Sequence, residues 1–173
     1  GIGRTPEAPD RNTAFAGLEP DQTVTVTLDT LSAARRSLTS ARDGPVEMVA
    51  LGTPHFSFTE FASLVPMLQG RKVHPGTKLY ISTSRHVRDL AAQNGWIEAL
   101  ESAGAQIIVD TCTYFSPAVR GCKGRVMTNA AKWAWYAPGM LGVEVCFGSL
   151  EECAETAVKG DVWRDANLWR DLD

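Results

Sequence analysis

The feature that most constrains the fold of this chain is the alternation of short apolar runs with longer segments of helical periodicity. Apolar runs that are typical of strands buried in a sheet occupy residues 46–51, 78–82, 106–110, 125–127 and 143–147. Residues 23–28 (TVTVTL) alternate between hydroxyl and apolar side chains and predict a further strand. Apolar residues at helical spacing predict helices at about 31–39, 57–68, 84–95, 96–103, 128–136 and 149–160.

Residues that start and stop helices support these boundaries. Ser57 and Ser149 each precede a glutamate by three residues, which is the pattern of a capping box. Ser84 can cap the helix that follows it, and Thr128 or Asn129 can cap the helix at 128–136. Pro138-Gly139 predicts that this helix ends near Tyr136. Glycines are expected to end the other helices, at Gly70, Gly95, Gly104 and Gly160.

Repeated strand–helix units predict an α/β domain with a mostly parallel sheet and helices on both of its faces. In such sheets, ligands bind beyond the carboxyl ends of the strands. This rule selects the loops at residues 52–57, 83–85, 111–116 and 128–129 as the region where a functional site is expected.

The composition is that of a globular protein with no specialised surface. The chain has 173 residues, of which 44% are hydrophobic and 21% charged, which is enough for a sizeable core. Lys and Arg number 17 against 20 Asp and Glu, and no basic stripe marks a nucleic-acid surface. No run approaches the roughly 18 apolar residues of a membrane span, and no secretory signal opens the sequence. We therefore expect a cytoplasmic protein with neither nucleic acid nor membrane as a partner.

Among the four cysteines, Cys112 has the strongest claim to a chemical role. It follows an apolar strand in VDTC, at the expected ligand edge, where a thiolate could bind a metal or act as a nucleophile. The alternative is a small buried thiol. Cys146 and Cys153 lie inside a strand and on an apolar helix face, so core positions are expected. Cys122 lies in the loop RGCKGR, where its role is open.

Polar residues follow the other strands at the same edge. His55 could act as an acid, a base or a ligand, or bond the backbone of its own loop. Ser84 and Arg85 suit a carboxylate or phosphate, although Ser84 could serve only as a helix cap. Asn129 and Lys132 repeat this arrangement, and the alternative for Lys132 is a solvated charge. Such groups at consecutive strand ends favour a catalytic or binding site over a purely structural module.

A different class of function is also open from these residues. The chain could be a non-catalytic α/β subunit that binds a partner through a patch containing Trp163 and Trp169. The two classes differ in their need for metal, because an enzyme would use Cys112 as a ligand and a binding module would not.

Several segments occur in an order that is similar to a known family: GRTPEA, LGTPHFSFTEF, ISTSR, VDTC, MTNAAKWAWYAPG and VEVCFGSLEEC. Together they resemble the catalytic domain of aconitase X, the hydro-lyase branch of the aconitase superfamily, from about Arg4 to Lys159. MTNAAKWAWYAPG and FGSLEEC are the most specific segments. The resemblance implies a three-layer α/β domain of the aconitase type and a reaction that removes water from a hydroxy acid.

The resemblance also implies an iron centre held by cysteines, either an iron–sulfur cluster or a single iron. Cys112 matches a ligand position. Thr53 stands where some members have cysteine, which favours a [2Fe–2S] cluster with its other ligands upstream over a mononuclear iron. The family's catalytic domain is longer than this chain and works against a swivelling domain. Because GIGRTPEAP at the start is typical of chain interior, we expect residues 1–173 to be the C-terminal part of that domain, with the upstream part and the swivelling domain absent.

Candidate roles follow for the residues at the ligand edge. His55 and Lys132 are the candidate catalytic residues, and the base that removes the proton is expected in the missing part. The candidate substrate-binding residues are Thr53, Ser57, Ser84, Arg85, Thr128 and Asn129. The resemblance implies either cis-3-hydroxy-L-proline, dehydrated to a pyrroline-2-carboxylate, or mevalonate 5-phosphate. Thr53 and the few basic residues near these loops favour hydroxyproline.

Overall fold

The computed structural model describes the chain except for residues 1, 2, 4, 54, 114–118, 120 and 169–173. Its contacts divide the chain into two compact units, one ending at Leu31 and the other beginning at Ser32. The first unit contains the short helix α1 (Arg11–Ala14). Asp10 caps this helix by accepting a hydrogen bond from the Thr13 N–H at 2.7 Å. The second unit carries the sheet.

Residues 23–28 do not form the predicted strand. Residues 22–27 have no regular structure, and Val24 and Val26 are 71% and 63% exposed. The Thr27 hydroxyl accepts from the Thr30 N–H at 3.2 Å, and the Thr30 hydroxyl accepts from the Thr27 N–H at 3.4 Å. This reciprocal capping starts helix α2 (Leu28–Ser37). The prediction was wrong because alternation makes a strand only where a partner strand pairs with it.

Within the described residues, parallel strands form one sheet in the spatial order β3-β2-β1-β4-β5. The strand bounds are β1 Met48–Leu51, β2 Lys78–Thr83, β3 Ala105–Val109, β4 Arg125–Thr128 and β5 Glu144–Phe147. All residues of the central strand β1 are buried, as expected for a parallel strand that is covered on both faces. These strand positions confirm the parallel sheet that was predicted from the apolar runs in the sequence.

Three of the helices that follow the strands begin where their serine caps predicted, after Ser57, Ser84 and Ser149. The helix bounds are α3 Phe58–Leu68, α4 Arg85–Gln93, α5 Trp96–Ala103, α6 Ala131–Leu141 and α7 Leu150–Lys159. Both capping boxes are present, formed by Ser57 with Glu60 and by Ser149 with Glu152. Gly160 ends α7 in the left-handed conformation. No helix in the described part of the chain is long and apolar enough to cross a membrane.

Helix α6 differs from its prediction at both ends. Neither Thr128 nor Asn129 caps it: the cap residue is Ala130, which makes no side-chain capping bond. The helix also continues through Pro138 to Leu141, and Gly142 closes it with an N–H that donates to the Pro138 carbonyl at 3.1 Å. Proline removes only one helical hydrogen bond, and burial of the face around Trp133 offsets that loss.

The core lies on both faces of the sheet, which confirms the predicted α/β architecture in three layers. On one face, apolar side chains of β1 and β2 pack with buried residues of α3, α5 and α7, including Phe61, Leu100 and Cys153. On the other face, Tyr80 and Val145 pack with the buried side of α6. The sheet therefore holds the ends of its strands at fixed positions relative to the helices that follow them.

β5 is an edge strand of the sheet, and the segment that follows α2 pairs with its outer edge. The backbone N–H groups of Ser40 and Ala41 donate to the Val145 carbonyl at 2.8 and 3.2 Å, and the Ser40 hydroxyl accepts from the Val145 N–H at 2.8 Å. The Thr39 hydroxyl accepts from the Phe147 N–H at 3.2 Å. Pairing of this kind satisfies an edge that would otherwise expose its hydrogen-bonding groups.

Candidate functional site

The carboxyl ends of the parallel strands bring four predicted loops to one edge of the sheet. β1 pairs with β2 on one side and with β4 on the other, and β3 pairs with β2. Thr83 lies opposite Val109 in the sheet register, and Ala50 lies opposite Thr128. Residues 52–57, 83–85, 111–113 and 128–129 therefore follow neighbouring strands. The remainder of the loop at 111–116 lies outside the described residues.

The loop after β1 turns sharply at Gly52. Its φ is +72°, and a Cβ there would lie 2.4 Å from the Phe56 Cβ and 2.5 Å from the Ser82 carbonyl oxygen. The Phe56 N–H donates to that same Ser82 carbonyl at 2.7 Å, and the Thr83 hydroxyl donates to the Phe56 carbonyl at 2.7 Å. The loop is thus bound to β2 by its backbone, which leaves His55 exposed.

A polar chain that includes two buried residues links the loops after β1 and β3 to helix α6. The Trp133 indole N–H donates to the Thr113 hydroxyl at 2.7 Å, and the Thr113 and Thr53 hydroxyl oxygens lie 3.3 Å apart. Trp133 and Thr113 are completely buried, and Thr53 is partly buried. This chain fixes the backbone beside Cys112, which is itself half-buried at the sheet edge.

Sequence reasoning missed Thr113 and Trp133. The available signal was the tryptophan pair in KWAWYAPG, because a buried indole needs an acceptor for its N–H. Helical periodicity separates the buried Trp133 from Trp135, which is 65% exposed. The identity of the acceptor depended on a contact between residues 20 positions apart.

Asp110 joins the end of β3 to the start of α4. Its carboxylate accepts from the Arg85 backbone N–H at 2.8 Å and pairs with the Arg85 guanidinium at 3.0 Å. Asp110 has a φ of +53°, a left-handed conformation that short polar side chains tolerate better than others. The Ser84 hydroxyl caps α4 by accepting from the Val87 N–H at 3.2 Å. Arg85 remains largely exposed, so its guanidinium is accessible to a ligand.

The other predicted binding residues vary in accessibility. The Ser57 hydroxyl donates to the Glu60 carboxylate at 2.7 Å within its capping box, and Ser57 is half-buried. Thr128 is buried and its hydroxyl accepts from the Ala130 N–H at 3.1 Å. Asn129 is half-buried, while Lys132 is exposed as the second residue of α6. Asn129 and Lys132 therefore lie at the edge with side chains open to solvent to different degrees.

Cys112 supplies one possible metal ligand at this edge. Among the described residues, no group of three or more His, Cys, Asp or Glu side chains could hold a metal ion. A partly exposed thiol after a strand end has the chemistry of a single iron or iron–sulfur ligand. This part of the chain fits a site for which the remaining ligands come from elsewhere.

The other cysteines lie away from this edge or inside the core. Cys122 precedes β4 and therefore lies toward the amino edge of the sheet, where burial and the nearby Glu47 carboxylate raise the pKa of its thiol to about 11. Burial also raises the pKa of Cys146 to about 11, and its thiol donates to the Ala41 carbonyl. Burial raises the pKa of the fully buried Cys153 further. Cys146 and Cys153 are completely buried, which confirms their predicted core positions.

We predict that alkylation distinguishes the shielded thiols of the folded protein from the same thiols in urea. At pH 8, a rise in thiol pKa from 9.0 to about 11 lowers the thiolate fraction roughly a hundredfold. Iodoacetamide should therefore label Cys122, Cys146 and the fully buried Cys153 slowly in the folded protein, as measured by mass spectrometry of peptides. All three should react in urea, which controls for peptide detection. Equal rates of labelling in the folded and the urea-unfolded protein would contradict the shielding of these thiols.

Trp163, the C-terminal tryptophan that the structure describes, does not lie in an exposed surface patch. Trp163 is half-buried, with the Lys159 ammonium 4.7 Å from the centre of its ring. Its backbone N–H donates to the Thr156 hydroxyl at 2.9 Å. Trp169 lies outside the described residues. Trp163 therefore packs against α7, and this contact gives no support to an exposed patch.

Comparison with known proteins assigns this chain to a family. A family model described as the aconitase X third domain matches residues 46–159, which contain all five strands and four of the loops at the sheet edge. The chain belongs to the aconitase X family. This confirms the family resemblance of its sequence segments.

Aconitase X relatives include two cis-3-hydroxy-L-proline dehydratases. The protein of that name from Pseudomonas aeruginosa is 44% identical over 161 residues, covering 92% of this chain and 28% of the relative. The one from Hypocrea jecorina is 35% identical over 162 residues, covering 92% and 27%. The chain thus spans little more than a quarter of the length of these relatives. Aconitase X from Thermococcus kodakaraensis in its holo-form has a TM-score of 0.72 and 28% identity, covering 87% of this chain and 38% of that one.

A second group of aconitase X relatives is named differently. The phosphomevalonate dehydratase large subunit of Methanocaldococcus jannaschii is 29% identical over 129 residues, which are 75% of this chain and 31% of the relative. Both groups are named as dehydratases. The identity is higher with the hydroxyproline group and extends over more of this chain.

Proposed function

We propose that this chain is part of a hydro-lyase that dehydrates cis-3-hydroxy-L-proline to a pyrroline-2-carboxylate. The observation that carries the proposal is the 44% identity to a dehydratase of that name over 92% of the chain. The loops that would meet the substrate all fall inside the matched region. In this reaction the C2–H and C3–OH bonds break and a C2–C3 double bond forms, with loss of water.

The chain's own residues would bind and orient the substrate. A guanidinium and an ammonium suit its carboxylate, so we assign that role to the exposed Arg85 and Lys132. Ser84 and Asn129 would supply hydrogen-bonding groups around it, with Thr53 and Ser57 on the loop after β1. Thr128 was predicted to bind substrate, but it is completely buried, so its role would be to hold the Ala130 N–H at the start of α6. His55 is exposed on that same loop, where it would orient the substrate or relay a proton. The base that removes the C2 proton would come from the rest of the enzyme.

Cys112 would be this chain's ligand to an iron–sulfur cluster, for which we favour [2Fe–2S]. Its partly buried position at the strand end supports the assignment, and Thr53 in place of a second cysteine disfavours a mononuclear iron held by that loop. When bound, the iron centre would supply a Lewis acid that assists departure of the hydroxyl. The chain's task is to present the thiolate at a fixed position, which the Thr53–Thr113–Trp133 chain supports.

The complete enzyme would contain further domains. We propose that residues 1–173 form the C-terminal part of a longer catalytic domain, which works against a swivelling domain that supplies the rest of the site. The coverage of 28% and 27% of the hydroxyproline relatives supports this proposal. A cytoplasmic location fits the four free thiols, because reduced cysteines persist in that compartment.

A second substrate has support from the archaeal relatives. The large-subunit phosphomevalonate dehydratases are similar to this chain, and their name indicates mevalonate 5-phosphate as the alternative substrate. Among the described residues, the helix starts at this sheet edge present Arg85 and Lys132 as exposed cations beside these loops. The lower identity favours hydroxyproline as the first candidate.

A comparison of the two substrates tests the proposal. The complete enzyme, purified without oxygen, is expected to dehydrate cis-3-hydroxy-L-proline and to leave mevalonate 5-phosphate unchanged. Product formation is followed by mass spectrometry as the loss of 18 Da, about the mass of one water. The trans isomer of 3-hydroxyproline is the matched control. Turnover of mevalonate 5-phosphate alone would replace the first candidate by the second, and turnover of neither would remove both.

A further inference from the structure

A cavity of about 330 Å³ lies between α2 and the segment that follows α7, and arginines dominate its wall. The lining residues are Ser32, Arg35, Arg36, Thr39, Arg42, Arg164, Asp165 and Ala166. All of them lie in the unit that begins at Ser32. We call this cavity the arginine pocket. Four guanidinium groups around one opening are an unusual accumulation of like charge that needs compensation.

One carboxylate, Glu152, supports the floor of the arginine pocket. Glu152 is fully buried, and its oxygens lie 3.3 Å from the Arg35 guanidinium and 3.2 Å from the Arg164 guanidinium. The same carboxylate accepts from the backbone N–H groups of Ser149 at 2.9 Å and Asp165 at 3.2 Å. Four donors therefore share its two oxygens, and Glu152 has little capacity left to neutralise other cations.

The remaining two arginines have no acidic partner in the described part of the chain. The Arg36 guanidinium donates to the neutral Ser32 hydroxyl at 2.6 Å, and Arg42 makes no ion pair with a described residue. Asp165 is the other acid at the pocket, and its carboxylate accepts from the Asn167 N–H at 2.8 Å. Counted over the described residues that line the pocket, four arginines against Glu152 and Asp165 give a surplus of two positive charges.

We propose that the arginine pocket binds a phosphoryl group, either inorganic phosphate or a small phosphomonoester. A phosphate dianion carries a charge of about −2 at neutral pH, which matches the surplus. Its oxygens can accept paired hydrogen bonds from guanidinium groups, which favour this geometry over that of an ammonium. The proposal rests on these charges and contacts, and it does not depend on which substrate the enzyme dehydrates.

The arginine pocket is connected to the carboxyl edge of the sheet. The Arg164 guanidinium donates to the Phe147 carbonyl at 2.8 Å, at the end of β5. The next residue, Gly148, donates its N–H to the Thr128 carbonyl at 3.0 Å. A Cβ on Gly148 would lie 2.6 Å from the Met127 Cε, 2.7 Å from the Glu152 carboxylate and 2.8 Å from the Arg164 guanidinium, so a larger residue here would have to displace these side chains. Phosphate binding would therefore act on the same edge that carries Thr128 and Asn129.

The proposal is tested by thermal unfolding of the complete enzyme with inorganic phosphate as the probe. Ionic strength is held constant with sodium chloride at pH 7.5, and methyl phosphate is titrated in a second arm. A ligand that binds only the folded state raises Tm in a saturable manner. We expect this rise with phosphate. A similar rise with methyl phosphate identifies a phosphomonoester as an acceptable source, and a rise with inorganic phosphate alone identifies the free ion.

Variants locate the site. Arg36→Ala with Arg42→Ala should weaken the apparent affinity for phosphate by at least about tenfold, because each removes a charged hydrogen-bond donor. Lys72→Ala with Arg88→Ala removes the same charge elsewhere and should leave the affinity unchanged. Arg42→Ala alone is a second variant. It should fold normally, because the Arg42 side chain makes no ion pair with a described residue. An unsaturable effect of phosphate, an equal loss in the Lys72/Arg88 control, or full affinity in the Arg36/Arg42 variant would overturn the proposal.

Discussion

Replacement of Cys112 by alanine in the complete enzyme is expected to remove its iron and its dehydratase activity together. The substitution deletes the thiolate that we propose as a ligand, and the loss should exceed the roughly 10–100-fold effect of removing an outer-shell partner. Iron and acid-labile sulfide are measured on protein purified without oxygen, so the metal readout does not depend on turnover. Cys112 is only half-buried, and the loss of one sulfur should leave the fold intact.

Cys122→Ala is the matched control for this experiment. Cys122 is also a half-buried free thiol, but it precedes β4 and lies toward the opposite edge of the sheet from Cys112. The control protein should retain both iron and turnover. Retention of iron by Cys112→Ala would show that Cys112 is a packing residue, whereas loss from both variants would indicate a general effect on the protein.

Replacement of Gly52 by alanine is expected to lower the free energy of unfolding by about 2–5 kcal/mol. A left-handed conformation costs an ordinary residue roughly 1–2 kcal/mol, and overpacking adds about 1–3 kcal/mol. The new Cβ would meet the Phe56 Cβ at 2.4 Å and the Ser82 carbonyl at 2.5 Å, so backbone must move. That movement would displace the loop after β1, including His55. Urea-induced unfolding followed by tryptophan fluorescence measures the change.

Gly70→Ala separates the cost of conformation from the cost of space. Gly70 has a φ of +70°, close to the +72° of Gly52, but no heavy atom lies within 4 Å of a Cβ built there. The Gly70 variant should therefore lose only about 1–2 kcal/mol. Equal destabilisation at the two positions would mean that the contacts with Phe56 and Ser82 relax at little cost.

Most of the strands and helices were predictable because local chemistry and tertiary packing agree over residues 46–160. The apolar run at β1 is buried on both faces, and the Ser149 capping box starts α7 where its pattern predicted. The predicted strand at residues 23–28 was wrong because the Thr27–Thr30 capping bonds favour a helix and no described strand pairs with it. Pro138 did not end α6 because the buried face around Trp133 outweighs one missing hydrogen bond.

The predicted loops do meet at one edge, since parallel strands place their carboxyl ends together. The roles of their side chains were less visible from sequence. Arg85 was predicted to bind an anion, and its pairing with Asp110 across 25 positions became clear only once β2 and β3 were placed side by side. The proposed role of Cys112 as a ligand is tested by its replacement with alanine.

The sequence by itself determined the family, the order of the strands and helices over residues 46–160, and the sheet edge where a site should lie. These features depend on local patterns: apolar periodicity, caps, and glycines at positive φ. Tertiary structure decided which distant residues touch, including Trp133 with Thr113 and the arginines of α2 with Glu152 of α7. Hydrogen bonds and charge pairs act over a few ångströms in space, whatever the separation of their residues along the chain. These contacts could therefore be identified only in the folded structure.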